Sequence, residues 1–282
     1  MRHFPTLALL LTGAALLSAC GDGEKQTQAA IDEVTAADEA NLSDIMLTVG
    51  DPEDAVAYFQ KLSIEQPDRI DVKRDLAVSL VRADRPTEAV TVWTAVVASP
   101  EATNDDRVAL AGALIRTNDW TKAAEVLNTI PPTYETFERY RYEAMVADSR
   151  KDWQKADSFY EIAVGLTTQP AGVLNNWGFS KLSRGDFSGA ERLFAEALTY
   201  DPKMFTAKNN LVLARASQGK YDMPVIAMTQ TERAQLLYTA GLAAVKKGDV
   251  EIGKDLLQQA VDTSPQYFEA AERSLAALGG GQ

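Results

Sequence analysis

Asn176-Trp-Gly-Phe-Ser-Lys-Leu-Ser-Arg-Gly185-Asp-Phe-Ser-Gly-Ala190-Glu-Arg-Leu-Phe194-Ala-Glu-Ala-Leu198 decides the fold of this 282-residue chain. Its grammar is two short helices joined by a turn. Gly185-Asp186 supplies a backbone conformation that lets one helix fold back on the other. A small residue, Ala190, lets the second helix approach the first, and Phe194, one turn further on the same face, fills the seam. Pro202 ends the unit.

The same grammar recurs upstream and downstream at about 34 residues. Units begin near Ala36, Ile70, Asn104, Phe137, Ala171, Phe205 and Ala234. The small/large pair reads Ala55/Phe59, Ala89/Trp93, Ala123/Leu127, Ala156/Tyr160 and Ala190/Phe194 in the first five. The third unit ends early at Pro131-Pro132. In the sixth, Pro224 stands where the small residue belongs, and Met223-Pro-Val-Ile-Ala-Met228 occupies the place of a second helix. That stretch reads as an apolar linker packed over the core, with a place beside a binding groove as the functional alternative. Thr229-Gln-Thr-Glu232 is a capping box that opens the seventh unit. A bundle shows this pattern once, not in consecutive registers, so the expectation is all-α: an α-solenoid of helix-turn-helix repeats forming a right-handed superhelix. The period and the residues at these offsets resemble the tetratricopeptide repeat. Residues 36–267 hold the repeats, and 268–282 supply a capping helix and tail.

The N-terminus has a different character. Arg2 and His3 precede an apolar run from Phe4 to Leu17, too short to span a bilayer. Leu17-Ser-Ala-Cys20 closes it and resembles a bacterial lipobox. The expectation is a signal peptide over 1–19, acyl chains on Cys20, and a polar tether over 20–35. Asp directly after the lipidated Cys favours inner-membrane retention in bacterial lipoproteins. Gly21 stands there instead, so the expected location is the outer membrane, facing the periplasm; Asp22 one place on leaves the inner membrane open.

Composition narrows the chemistry. The chain has 28 basic and 40 acidic side chains, a formal net charge of −12, which repels nucleic acid and anionic headgroups. His3 is its one histidine and Cys20 its one cysteine. With the signal peptide removed and Cys20 acylated, no group remains for Ser-His-Asp or Cys-His catalysis, histidine zinc sites or thiol redox chemistry. There is no phosphate-loop, EF-hand or HExxH spacing, and Asn104-Asp105-Asp106 reads as a helix start. The expectation is no enzyme, no catalytic residue, no metal, no cofactor and no small-molecule substrate. An enzyme running on carboxylates would need paired acids converging in the groove.

The groove offsets hold other residue types. First-helix residues at the inward offsets are Arg74 and Val78, Val108 and Gly112, Arg141 and Met145, Asn175 and Phe179, Asn209 and Leu213, Tyr238 and Leu242; Arg82 and Arg116 lie one turn on. Met145, Phe179, Leu213 and Leu242 make an apolar ribbon, which reads either as a binding surface or as packing between repeats. The four arginines read either as surface pairs with Asp71, Asp75 and Glu138 or as a clamp for a partner's carboxylates.

Residues 175–198, 208–249 and 256–278, with the break at Pro224 and the final Phe268-Glu-Ala-Ala-Glu-Arg-Ser-Leu275, resemble the TadD family of tetratricopeptide-repeat lipoproteins of the tight-adherence (Flp) pilus. The resemblance implies a non-enzymatic pilotin or assembly adaptor. Its partners would be the secretin or other pilus-assembly proteins, and acyl chains on Cys20 would hold it to the outer membrane. An adaptor for outer-membrane β-barrel assembly or for peptidoglycan hydrolases stays open beside it. Asn175 and Asn209 would hold peptide backbone by the resemblance to the tetratricopeptide repeat family.

Overall fold

The computed structural model describes residues 39–279, so Cys20, the apolar leader and the tether lie outside the described residues. Within them the chain is all-helical, with fourteen helices and no strand. It divides after Glu101 into two compact units. The first holds α1 (residues 39–48), α2 (Pro52–Glu65), α3 (Ile70–Arg82) and α4 (Pro86–Val97). The second begins with α5 (Asn104–Arg116), α6 (Trp120–Leu127), α7 (Phe137–Ser149), α8 (Trp153–Gly165), α9 (Ala171–Ser183) and α10 (Phe187–Tyr200). It continues with α11 (Phe205–Ser217), α12 (Gln230–Lys247), α13 (Val250–Thr263) and α14 (Glu269–Gly279).

One backbone device makes the helix pairs. A single residue in the left-handed region precedes the cap of the second helix: Asp84, Asn118, Lys151, Gly185 and Gly248, at φ of 56°, 60°, 59°, 83° and 101°. The next residue in three of these turns is an aspartate whose carboxylate accepts from the first-turn backbone. Asp119 takes Lys122 N at 3.2 Å, Asp152 takes Lys155 N at 3.4 Å and Asp186 takes Gly189 N at 2.9 Å. These bonds satisfy donors that a helix start leaves open. The Asn104-Asp-Asp start of α5 is likewise a cap: Asp106 accepts from Thr103 N at 2.8 Å while Thr103 Oγ1 accepts from Asp106 N.

The small/large pairs close each seam. Ala55, Ala89, Ala123, Ala156 and Ala190 are all 0% exposed, and their partners Phe59, Trp93, Leu127, Tyr160 and Phe194 are buried with them. Burying one such large side chain contributes roughly 1.5–3 kcal/mol. The fifth pair is close-fitted, because Gly178 on α9 sits where a β-carbon would lie 2.7 Å from the Phe194 ring.

Two units depart from the pattern. In the third, α6 has only eight residues, and the buried Arg139 serves the chain that follows it. Arg139 donates to the carbonyls of Pro131 at 2.8 Å and Tyr134 at 2.7 Å and pairs with Glu143 at 2.8 Å. In the sixth, α11 ends at the left-handed Gly219 (φ 78°) and no second helix follows. Met223, Ile226 and Met228 turn toward the core clusters around Leu211 and Leu236, while Val225 is fully exposed. The segment is the packed linker; it lines neither cleft described below. The Thr229/Glu232 capping box opens α12, and α14 covers the end of the array with Ala271 fully buried.

Candidate partner groove

The first helices α7, α9 and α11 of the second unit carry an apolar cleft of about 460 Å³. Met145 and Phe179 stand in its wall together with Trp120 and Trp153, each the first residue of a second helix. Phe179 is 57% exposed, unusual for a phenylalanine on a repeat helix with a buried seam. Asn175, Asn176 and Asn210 add amides: Asn210 Nδ2 donates to Asn175 Oδ1 at 3.1 Å, and Asn176 Nδ2 meets the Met145 sulfur at 3.6 Å. This bond leaves the Asn175 amide N–H groups without a partner among the described residues.

An acid lies in the floor. Asp148 accepts from Tyr160 Oη at 2.9 Å and from Ser180 Oγ at 2.7 Å, tying α7 to α8 and α9. Burial raises the Asp148 carboxyl above the usual range, with those two donors and Arg184 acting against it. Burial also raises the Tyr160 hydroxyl, so it stays a donor.

What positions α9 is a polar lock. Asp157 on α8 accepts from Trp177 Nε1 at 2.6 Å, Lys181 Nζ at 3.0 Å and Arg184 Nη2 at 2.5 Å, all on or just after α9. One period later Glu191 on α10 accepts from Arg215, Gln218 and Lys220, each at 2.8 Å. Lys181 and Arg215, like Arg184 and Gln218, stand 34 positions apart, so the lock repeats with the fold. Burial pushes both carboxyls up, yet the donors outweigh it and hold them below the usual range. The periodicity of these charges is legible in the sequence once the fold's own period is known.

The remaining groove positions fall into separate environments. Leu213 lines a second cleft of about 370 Å³, with Leu182, Phe187 and Ala243 and the ammonium groups of Lys246 and Lys247. Leu242 is exposed beside it on α12. Of the apolar series, Met145 and Phe179 line the first cleft, Leu213 lines the second and Leu242 is exposed on α12. Val108 is only 6% exposed. The inward face of α5 is covered there, because the Tyr142 ring lies over Gly112, one turn from Val108. Tyr238 packs on Phe268, ring centroids 5.2 Å apart, under the C-terminal cap. The carboxamide oxygen of Asn209 accepts from Thr239 Oγ1 at 2.7 Å.

The arginines are similarly dispersed. In the first unit, Arg74, Val78 and Arg82 form a stripe on α3. Arg82 donates to the carbonyls of Met46 at 2.8 Å and Gly50 at 2.9 Å, closing the end of α1, and Arg74 reaches the Glu101 carbonyl at 3.1 Å. Asp71 pairs with Arg69. In the second unit Arg116 is exposed. Arg141 lies over the Tyr142 ring at 4.8 Å and donates to its hydroxyl at 3.0 Å. Trp120, Trp153, Asn176 and Asn210 are groove residues that the inward offsets miss, since the two tryptophans stand at the starts of second helices. The shared signal was Asp-Trp at 119–120 and 152–153, one period apart.

Known proteins share this geometry. Residues 74–136 and 176–222 match the tetratricopeptide repeat model. The fold is that of a tetratricopeptide-repeat solenoid. No curated protein sequence matches the chain. Among solved structures, a tetratricopeptide repeat protein from Parabacteroides merdae superposes with a TM-score of 0.57 at 13% identity, over 85% of this chain and 97% of that one. The type IV pilus biogenesis factor PilW gives 0.55 at 16% identity, over 73% of this chain and 98% of its own. The Cut9–Hcn1 complex of the APC/C gives 0.61 at 15% identity, over 84% of this chain; the solenoid spans about half, 48%, of the matched chain. At these identities the likeness is one of fold.

Proposed function

We propose that this solenoid is a non-enzymatic protein–protein interaction scaffold, held to the outer membrane through acyl chains on Cys20. It serves there as a pilotin or assembly adaptor for the secretin of a Tad/Flp-type pilus. The observation that carries the scaffold reading is the cleft around the exposed Phe179, where apolar walls lie together with asparagine side chains, one of which, Asn175, keeps its amide N–H groups unpartnered among the described residues. A peptide needs both: apolar pockets for its side chains and amides for its backbone. The likeness to PilW supports the pilus setting, and the Leu-Ser-Ala-Cys20 motif supports the anchor.

The test is an affinity pulldown of the Cys20-intact, C-terminally tagged protein from detergent-solubilised envelopes, with a Phe179→Ala variant in parallel. Recovery of a secretin by the wild type and its loss by the variant is the expected result. Recovery of β-barrel assembly proteins or peptidoglycan hydrolases in its place overturns the pilus role and keeps the scaffold. Equal recovery by both proteins removes the cleft as the docking site.

A further inference from the structure

The second cleft has a chemistry that its fold does not require. It is lined by Leu213, Leu182 and Phe187 together with Lys246 and Lys247, and the Lys247 ammonium lies close to Gly219. Neither ammonium group has an acidic partner within 4.0 Å among the described residues, although the chain has a large excess of acids. Several cations of the neighbouring helices are paired, Lys208 with Glu232 at 2.9 Å, Arg215 with Glu191 at 2.8 Å and Lys254 with Glu251 at 2.9 Å, whereas Lys246 and Lys247, like Arg192 and Arg233, have no such pair among the described residues. The two lysines stand in the last turn of α12, where the helix carbonyl end favours positive charge. That favours both charges at the helix end; the apolar lining beside them is a separate feature of the cleft. At physiological ionic strength, charges beyond about 8 Å are largely screened. The two lysines are the charged residues in the lining of the cleft, so they act on an occupant at shorter range than the distributed net charge of −12.

Resting on the reading of the first-helix clefts as a partner site, we propose that this cleft takes an acidic side chain of a partner segment, anchored by a neighbouring apolar one. The apolar residue seats on Leu213 and Phe187, and an internal Asp or Glu lies between Lys246 and Lys247. Phe179 and Leu182 stand one turn apart on α9, about 5 Å along the helix axis. A single extended segment thus passes from the amide-lined cleft to the lysine-rimmed one within two or three of its own residues.

The experiment is selection of a random dodecapeptide display library, fused at its C-termini so that no free terminal carboxylate is offered. The full-length processed protein is the bait at 0.15 M salt. The bait is presented as wild type, as Lys246→Glu/Lys247→Glu and as Phe179→Ala, each checked for an unchanged melting temperature. Expected is enrichment on wild type of peptides with Asp or Glu within two positions of Leu, Ile or Phe. Those peptides, synthesised and amidated, should bind the charge-reversed variant at least tenfold more weakly. Enriched peptides without acids, or acidic ones that the charge reversal changes less than twofold, overturn the proposal. If such peptides are lost on Phe179→Ala alone, the groove stands as a partner site and acid recognition fails. No enrichment on any bait overturns both readings.

Discussion

The fifth and sixth repeats begin alike and end differently. α9 and α11 each run thirteen residues and close on a left-handed glycine, Gly185 and Gly219. After that glycine the chains diverge position by position. The capping Asp186 becomes Lys220, and the fully buried Ala190 becomes Pro224. In the fifth repeat Ala190 N donates to Asp186 O at 2.9 Å, the first bond of the new helix. Proline has no N–H to make that bond, and its ring collides with the carbonyl four residues back. The sixth repeat therefore folds back but cannot start a second helix, and Met223, Ile226 and Met228 cover the exposed flank as extended chain. The turn and the helix after it are separate decisions, made by adjacent residues.

The largest expected effect comes from imposing the sixth repeat on the fifth. Ala190→Pro should lower stability by about 3 kcal/mol or more, since it removes the bond to Asp186 and displaces Phe194 from Gly178. Thermal unfolding followed by circular dichroism reads it directly. A loss under about 1 kcal/mol would break the comparison, because Pro224 would then not explain the missing helix.

A middle-sized effect tests whether both repeats hang on the same lock. Asp157→Ala leaves Trp177, Lys181 and Arg184 without their acceptor and should cost about 2–3 kcal/mol. Glu191→Ala removes the corresponding acceptor of Arg215, Gln218 and Lys220 and should cost a similar amount. Both carboxyls are held below their ordinary values in the folded chain. Their contribution is therefore complete above the unfolded values near 4 and disappears as pH falls through the lower folded values. The Asp157→Asn/Glu191→Gln double variant should be less stable at pH 7 and flatter than wild type below about pH 4. Parallel acid limbs would show that the lock carries no linked protons.

The smallest effect concerns the turn itself. Lys151 holds the left-handed position (φ 59°) that Gly185 and Gly219 hold later. Lys151→Gly should raise stability by up to about 1 kcal/mol, the relief of left-handed strain less the entropy that glycine adds to the unfolded chain. A decrease would mean that the Lys151 side chain contributes more than its backbone costs.

The sequence by itself determined the helix pairs. Ala-x-x-x-large spacing and turn residues such as Asn118 and Gly185 act within one or two turns of chain, so their meaning survives without coordinates. It also foretold the failure at Pro224, because a missing N–H is a local fact. The tertiary structure alone decided which first-helix residues line a cleft. Val108 and Asn175 share an offset in their repeats, yet Val108 is buried and Asn175 lines the cleft; at the offset of the exposed Phe179 the third repeat has Gly112, with the Tyr142 ring lying over it. Trp120 and Trp153 line the cleft from the starts of second helices, and the Asn210–Asn175 and Tyr160–Asp148 bonds join residues on different helices. Arg82, read as a groove cation, closes the end of α1 through carbonyls more than thirty residues away. Periodicity says which face a residue occupies; only packing between repeats says whether that face remains uncovered.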